Sequence, residues 1–188
     1  MLKRKLLVKI YVIIIAGLLQ FLVVSCGDNV ELTDNNLEVR DNIIYEQGKE
    51  NPFTGRERAR VDDKIIDYEI VDGLKRGSFK LFYENGNEAI VGTIKNNTNT
   101  GEWKYFYESG KLESAGYFVE DLPEGRWVWY YESEQIKEEG SYHKGMRVAW
   151  WYQYNPDGSE SYSKNFDEKD SLDTGNDSLF NRIEKYQF

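Results

Sequence analysis

A 24-residue echo constrains this chain more than any other feature. Gly101-Glu-Trp103 opens a stretch that runs through alternating aromatics to Tyr107 and turns at Glu108-Ser-Gly110. Gly125-Arg-Trp127 restarts the pattern 24 residues on, and Tyr131 answers Tyr107. One step back, Gly77-Ser-Phe79 and Tyr83-Glu-Asn-Gly86 fill the same slots. One step forward, the pattern predicts a unit starting near Val148, with Val in the place of Gly. Trp150 and Tyr154 take its aromatic slots, and the turn Asn155-Pro-Asp-Gly158 gains a residue. A short fixed period means that each unit buries its apolar face only against its neighbours, so the chain reads as stacked repeats. The array spans 52–166, about five units. Its first unit is degenerate: it keeps Gly55 and Asp72-Gly-Leu-Lys-Arg-Gly77 but lacks the Trp.

Each unit reads as a β-hairpin. Trp103, Tyr105 and Tyr107 alternate with Lys104, Phe106 and Glu108, which puts the first three on one face of a strand. Gly110 supplies the positive φ that a four-residue loop requires. The register that follows sets Trp103 opposite Gly116, Phe79 opposite Gly92 and Trp127 opposite Gly140, a large ring facing bare backbone each time. Stacked units then build columns: Phe79, Trp103, Trp127, Trp150; Leu81, Tyr105, Trp129, Tyr152; and Tyr83, Tyr107, Tyr131, Tyr154. The fold expected is all-β, an elongated single-layer antiparallel meander, about 45–50 Å long at ~4.8 Å per strand.

The flanks differ in kind. Residues 1–25 read as a signal peptide, with Lys3, Arg4, Lys5 and Lys9 ahead of an apolar run over 10–24. The end of that run, Val23-Val-Ser-Cys26-Gly27, resembles the lipobox of bacterial lipoproteins. The resemblance implies acylation of Cys26, cleavage before it and membrane attachment through lipid, with Gly27 implying sorting to the outer membrane. Residues 26–51 read as a polar tether with one strand near Asn42–Tyr45. Residues 167–188 form an acidic tail whose Ser178, Leu179, Ile183 and Tyr186 suit a short capping helix.

Charge and residue supply narrow the chemistry. Removing the four leading cations from 24 basic residues leaves 20 against 33 acidic ones, a balance of −13. An acidic surface argues against nucleic acid and for a basic partner. Cys26 is the only cysteine and His143 the only histidine, and His143 falls in a polar linker. No catalytic constellation, metal site or cofactor is therefore expected.

The Gly-x-Trp-x-x-x-Tyr-x-x-x-Gly core and the linking Asp-Gly-Leu-Lys-Arg-Gly resemble MORN repeats, closest to the bacterial variant labelled as antitoxin of a toxin–antitoxin system (the YwqK type). The resemblance implies a non-catalytic interaction surface. A single layer cannot bury both faces, so an exposed aromatic strip is expected from Trp103, Tyr105, Tyr107, Trp127, Trp129, Tyr131 and Trp150. The expected role is a lipid-anchored envelope scaffold that binds a protein. Toxin immunity, glycan binding and self-association are the alternatives.

Overall fold

The computed structural model describes residues 32–33 and 35–166, all within one compact unit spanning 32–188. The signal-like segment, Cys26, the start of the tether and the tail with its expected helix lie outside the described residues. Two short strands, β1 (Leu37–Arg40) and β2 (Ile43–Glu46), pair as a hairpin. Ten more follow: β3 (Gly55–Val61), β4 (Lys64–Val71), β5 (Leu74–Phe82), β6 (Glu88–Lys95) and β7 (Thr98–Phe106), then β8 (Leu112–Val119), β9 (Leu122–Tyr130), β10 (Ile136–His143), β11 (Met146–Tyr154) and β12 (Glu160–Phe166). β3 to β12 pair antiparallel in strict chain order, making one open ten-stranded sheet. The meander expected from the period is the fold.

Two kinds of turn alternate along it. Asp72-Gly73, Asn96-Asn97, Glu120-Asp121 and Lys144-Gly145 are two-residue turns with positive φ at both positions. That geometry matches the twist of the strands they join. The opposite edge carries the longer loops, with Gly86, Gly110, Glu134 and Gly158 at φ of 88°, 85°, 73° and 84°.

The initial glycine of each unit makes a bulge. Between Thr93↔Thr100 and Val91↔Lys104 the later strand holds two extra residues, one of them Gly101 at φ 73°. Gly77 and Gly125 sit at the same point of β5 and β9, at φ 75° and 70°. In the last unit the position belongs to Ala149 at φ 56°, not to Val148. Counting the strict period from Gly125 reaches 149, so the expected start was one residue early.

That slip moves a whole column. The ring continuing Phe79, Trp103 and Trp127 is Trp151, not Trp150, and all four are buried on the inner face of the sheet. The predicted hairpin partners hold: Phe79↔Gly92, Trp103↔Gly116 and Trp127↔Gly140. The ring lying on each glycine, however, comes from the following unit. A Cβ at Gly92 would stand 2.2 Å from Trp103, one at Gly116 2.0 Å from Trp127, and one at Gly140 2.1 Å from Trp151. Indole N–H groups close the contact: Trp127 Nε1 donates to the Tyr117 carbonyl and Trp151 Nε1 to that of Ser141, each at 3.2 Å.

A second column, Ile70, Ile94, Phe118, Tyr142 and Phe166, fills the gaps between these rings and is also buried. Phe118 meets Trp103 and Trp127 edge-on at 5.7 and 5.3 Å, and Tyr142 meets Trp127 and Trp151 at 6.2 and 4.9 Å. Edge-to-face packing of this kind adds about 0.5–1.5 kcal/mol per pair beyond area burial. Rings laid flat on glycine and walled by rings from the alternate strands give a single layer a core.

Side-chain ladders tie the units along both edges. Tyr83, Tyr107 and Tyr131 donate their hydroxyls to the carbonyls of Phe106, Tyr130 and Tyr154, at 2.7, 2.6 and 2.8 Å. At the tight turns, Asn97 Oδ1 accepts from the Lys75 N–H and Asp121 Oδ1 from the Asn99 N–H, each at 2.7 Å. One step on, Pro123 has no N–H to donate and Gly145 has no side chain to receive it. The two departures from the pattern cancel.

The stretch expected to be a tether with one strand instead supplies both strands of the β1–β2 hairpin. Ile44 is buried, donating its N–H to the Gly73 carbonyl and accepting from the Phe53 N–H, each at 2.9 Å. Ahead of it, Thr33 N–H donates to the Arg58 carbonyl, Thr33 Oγ1 accepts from the Arg58 N–H, and Asn35 Nδ2 donates to the Arg56 carbonyl. The outer edge of β3 is thereby capped.

Candidate interaction surface

The expected strip divides between core, ladder and surface. Trp103 and Trp127 are fully buried and Tyr105 nearly so, which makes them core rather than an exposed strip. They are buried because the indoles lie flat on glycines of the preceding unit and the alternate-strand rings Phe118 and Tyr142 wall them in. Tyr107 and Tyr131 are half-buried and hold the edge ladder. Trp129 is half-buried between Trp127 and Trp151, at ring distances of 5.8 and 5.7 Å. Of the seven, Trp150 alone is largely in solvent, 51% exposed.

Trp150 faces outward because its neighbour Trp151 takes the inner slot and side chains alternate along a strand. Its outer-face companions are Tyr152 and Tyr154. Trp150 stacks on Tyr152 at 6.2 Å and 24° between planes, and Tyr152 on Tyr154 at 6.5 Å and 23°. Tyr154 belongs with Phe82, Phe106 and Tyr130, 24 residues apart, rather than with Tyr131. The inner positions 153 and 155 carry Gln153 and Asn155, both exposed. Counting from Val148 put Trp150, Tyr152 and Tyr154 on the inner face with the other columns; strict counting from Trp127 puts them outside.

Polar neighbours fix the strip. Tyr154 Oη donates to Glu139 Oε1 at 3.0 Å, and Arg126 donates to Glu139 Oε2 through Nη2 and Nε. The Arg126 hydrogen bond is the main reason the Glu139 carboxyl is held below its ordinary range. Partial burial, then the bond to Glu139, pushes the Tyr154 hydroxyl up. Beneath, the Arg147 guanidinium lies 4.1 Å from the Trp151 ring centroid and pairs with Glu138 at 3.4 Å. The hydroxyl of Tyr154 is thus anchored from the adjacent strand.

Elsewhere the surface offers little chemistry. His143 is exposed, its Nδ1 2.9 Å from Glu124 Oε1, and Lys144 N–H donates to the other oxygen of that carboxylate. Among the described residues no three His, Cys, Asp or Glu side chains are grouped to hold a metal. Among the described residues the most deeply buried cation is Lys75, whose ammonium burial pushes down to about 8 while its Nζ lies 5.1 Å from the Tyr68 ring. It fills the inner position that Asn99, Pro123 and Arg147 occupy in later units.

No curated protein matches the chain. Among solved structures it is similar to a chain of the Glycosylation Associate Protein complex from Streptococcus agalactiae, at 16% identity and a TM-score of 0.35. That likeness covers 73% of this chain and 26% of the other, so this chain spans about a quarter of the structure it matches. The model of the MORN repeat variant matches residues 99–120 and 123–144, the hairpins β7–β8 and β9–β10, so two adjacent central units are MORN-type repeats.

Proposed function

We propose that the chain is a non-catalytic scaffold of the bacterial envelope, held to the membrane by lipid on Cys26, whose outer face at the last unit docks a basic protein. One observation carries this reading. Exposed Trp150, stacked on half-buried Tyr152 and Tyr154, lies on the face opposite the core, beside Glu139 and Glu160. An aromatic anchor with carboxylates on one side suits a partner with an apolar patch bordered by Lys and Arg. A toxin of basic character is one such partner, and that is the immunity form of the reading.

Glycan binding is less well supported. Sugars stack on open ring faces, whereas these rings turn their faces toward one another along the strand. The test is crosslinked capture by the tagged full chain from its native envelope, beside Trp150→Ala. The expected result is one basic protein, held by the wild type, lost in the variant and released by salt. Identical capture by both would remove the docking surface. Retention on peptidoglycan that depends on Trp150 would install the glycan reading instead. Cys26→Ala should abolish palmitate labelling and release the protein from membranes; continued labelling would refute the anchor.

A further inference from the structure

We propose that β12 is the seam of a homodimer, pairing antiparallel with β12 of a second copy about a two-fold axis at Ser163. The two ends of the sheet are finished differently. At β3 the edge groups of Arg56 and Arg58 are taken by Asn35 and Thr33. At the other end β12 pairs, among the described residues, with β11 alone. An edge strand with open N–H and C=O groups is a template for another strand.

The residues of β12 suit a copy of themselves. Side chains partnered to Trp151 and Gln153 face inward, which places Lys164 and Tyr162 on the inner face; Ser163 and Asn165 face outward opposite Tyr152 and Trp150. With the axis at Ser163, Tyr162 stands opposite Lys164 of the second copy and Ser161 opposite Asn165, each contact made twice. Tyr162 is 53% exposed at this edge and offers a ring face to the cation. The lysine that would ordinarily guard such an edge is drawn in, its Nζ 4.4 Å from the centroid of the Phe166 ring on the same strand.

Because the β3 end is capped, pairing at β12 cannot propagate, and the assembly closes as a dimer with one continuous twenty-stranded sheet. Two Trp150 strips would then share one face, three strand spacings or about 14 Å apart.

The experiment is sedimentation equilibrium of the full chain in density-matched detergent, with Tyr162→Lys and Tyr162→Glu. Both variants change one exposed residue, and unchanged far-UV circular dichroism would verify their folds. The wild type should be a dimer. Tyr162→Lys sets like charges opposite and should weaken dimerisation at least tenfold, while Tyr162→Glu sets a carboxylate against Lys164 and should keep the dimer. A monomeric wild type, or variants that shift together, would overturn the proposal. Partner capture through Trp150 is read separately, so the two ideas fail independently.

Discussion

The unit that begins at Gly125 and the unit that begins at Ala149 share a period but use opposite faces. In the first, Trp127, Trp129 and Tyr131 point inward, to core, partial core and ladder. In the second only Trp151 does so; Gln153 and Asn155 follow it, and the aromatics Trp150, Tyr152 and Tyr154 appear outside. An interior unit must satisfy a neighbour on each side, so its inner positions are committed to rings. The last unit covers the one before it but, among the described residues, is followed only by β12. Freed from half of that duty, its aromatics can serve the surface.

The sharpest way to break this comparison is to truncate one ring from each unit. Trp127→Ala should cost about 3–5 kcal/mol, because it removes a buried indole from the floor formed by Gly116 and the walls formed by Phe118 and Tyr142. Trp150→Ala should stay within about 0.5 kcal/mol. Urea denaturation of the two variants checks both; comparable losses would put Trp150 in the core and end the distinction.

The ends of the inner column give a second contrast. Lys75 is driven to about 8 by burial, whereas lysine in the unfolded chain titrates near 10.4. A lowered lysine pKa means that the unfolded state binds the proton more tightly. The penalty is full below pH 8 and is relieved as pH rises toward 10.4, at up to ~1.4 kcal/mol per pH unit. Lys75→Met should raise stability at pH 7 and remove this rise. Arg147, at the same position in the last unit, cannot deprotonate over that window. Denaturation midpoints between pH 7 and 10 would show whether the slope belongs to Lys75.

Smaller effects come from the bulge. Ala149 adopts the left-handed backbone that Gly125 adopts at the same position. Ala149→Gly should stabilise by up to ~1 kcal/mol, and Gly125→Ala should destabilise by a similar amount. Thermal melts with equal signs for both changes would mean that the two bulges are not equivalent. The ladder offers the finest test: Tyr107→Phe should cost about 0.5–1.5 kcal/mol by leaving the Tyr130 carbonyl without its donor. Removing the outward hydroxyl in Tyr154→Phe should cost less, and calorimetry can rank the pair.

Much of this architecture could be read from spacing. The recurrence of Gly-x-Trp at 24 residues, the glycine in three of the four loops and the pairing of Trp103 with Gly116 follow from local rules, because hairpin register depends on residues close in the chain. The candidate surface was less legible. Trp150 and Trp151 are adjacent and chemically identical, and a one-residue choice between them exchanges the faces of the sheet. The even-strand column from Ile70 to Phe166 also passed unnoticed, since Ile, Phe and Tyr at one position share no motif.

The sequence by itself determined the period, the meander and the identity of the rings, since each depends on contacts within a hairpin or with the next one. Only the tertiary structure decided which rings lie in the dark and which in water. Burial is set by what packs across from a side chain, and here that includes the ring or the glycine of a neighbouring unit.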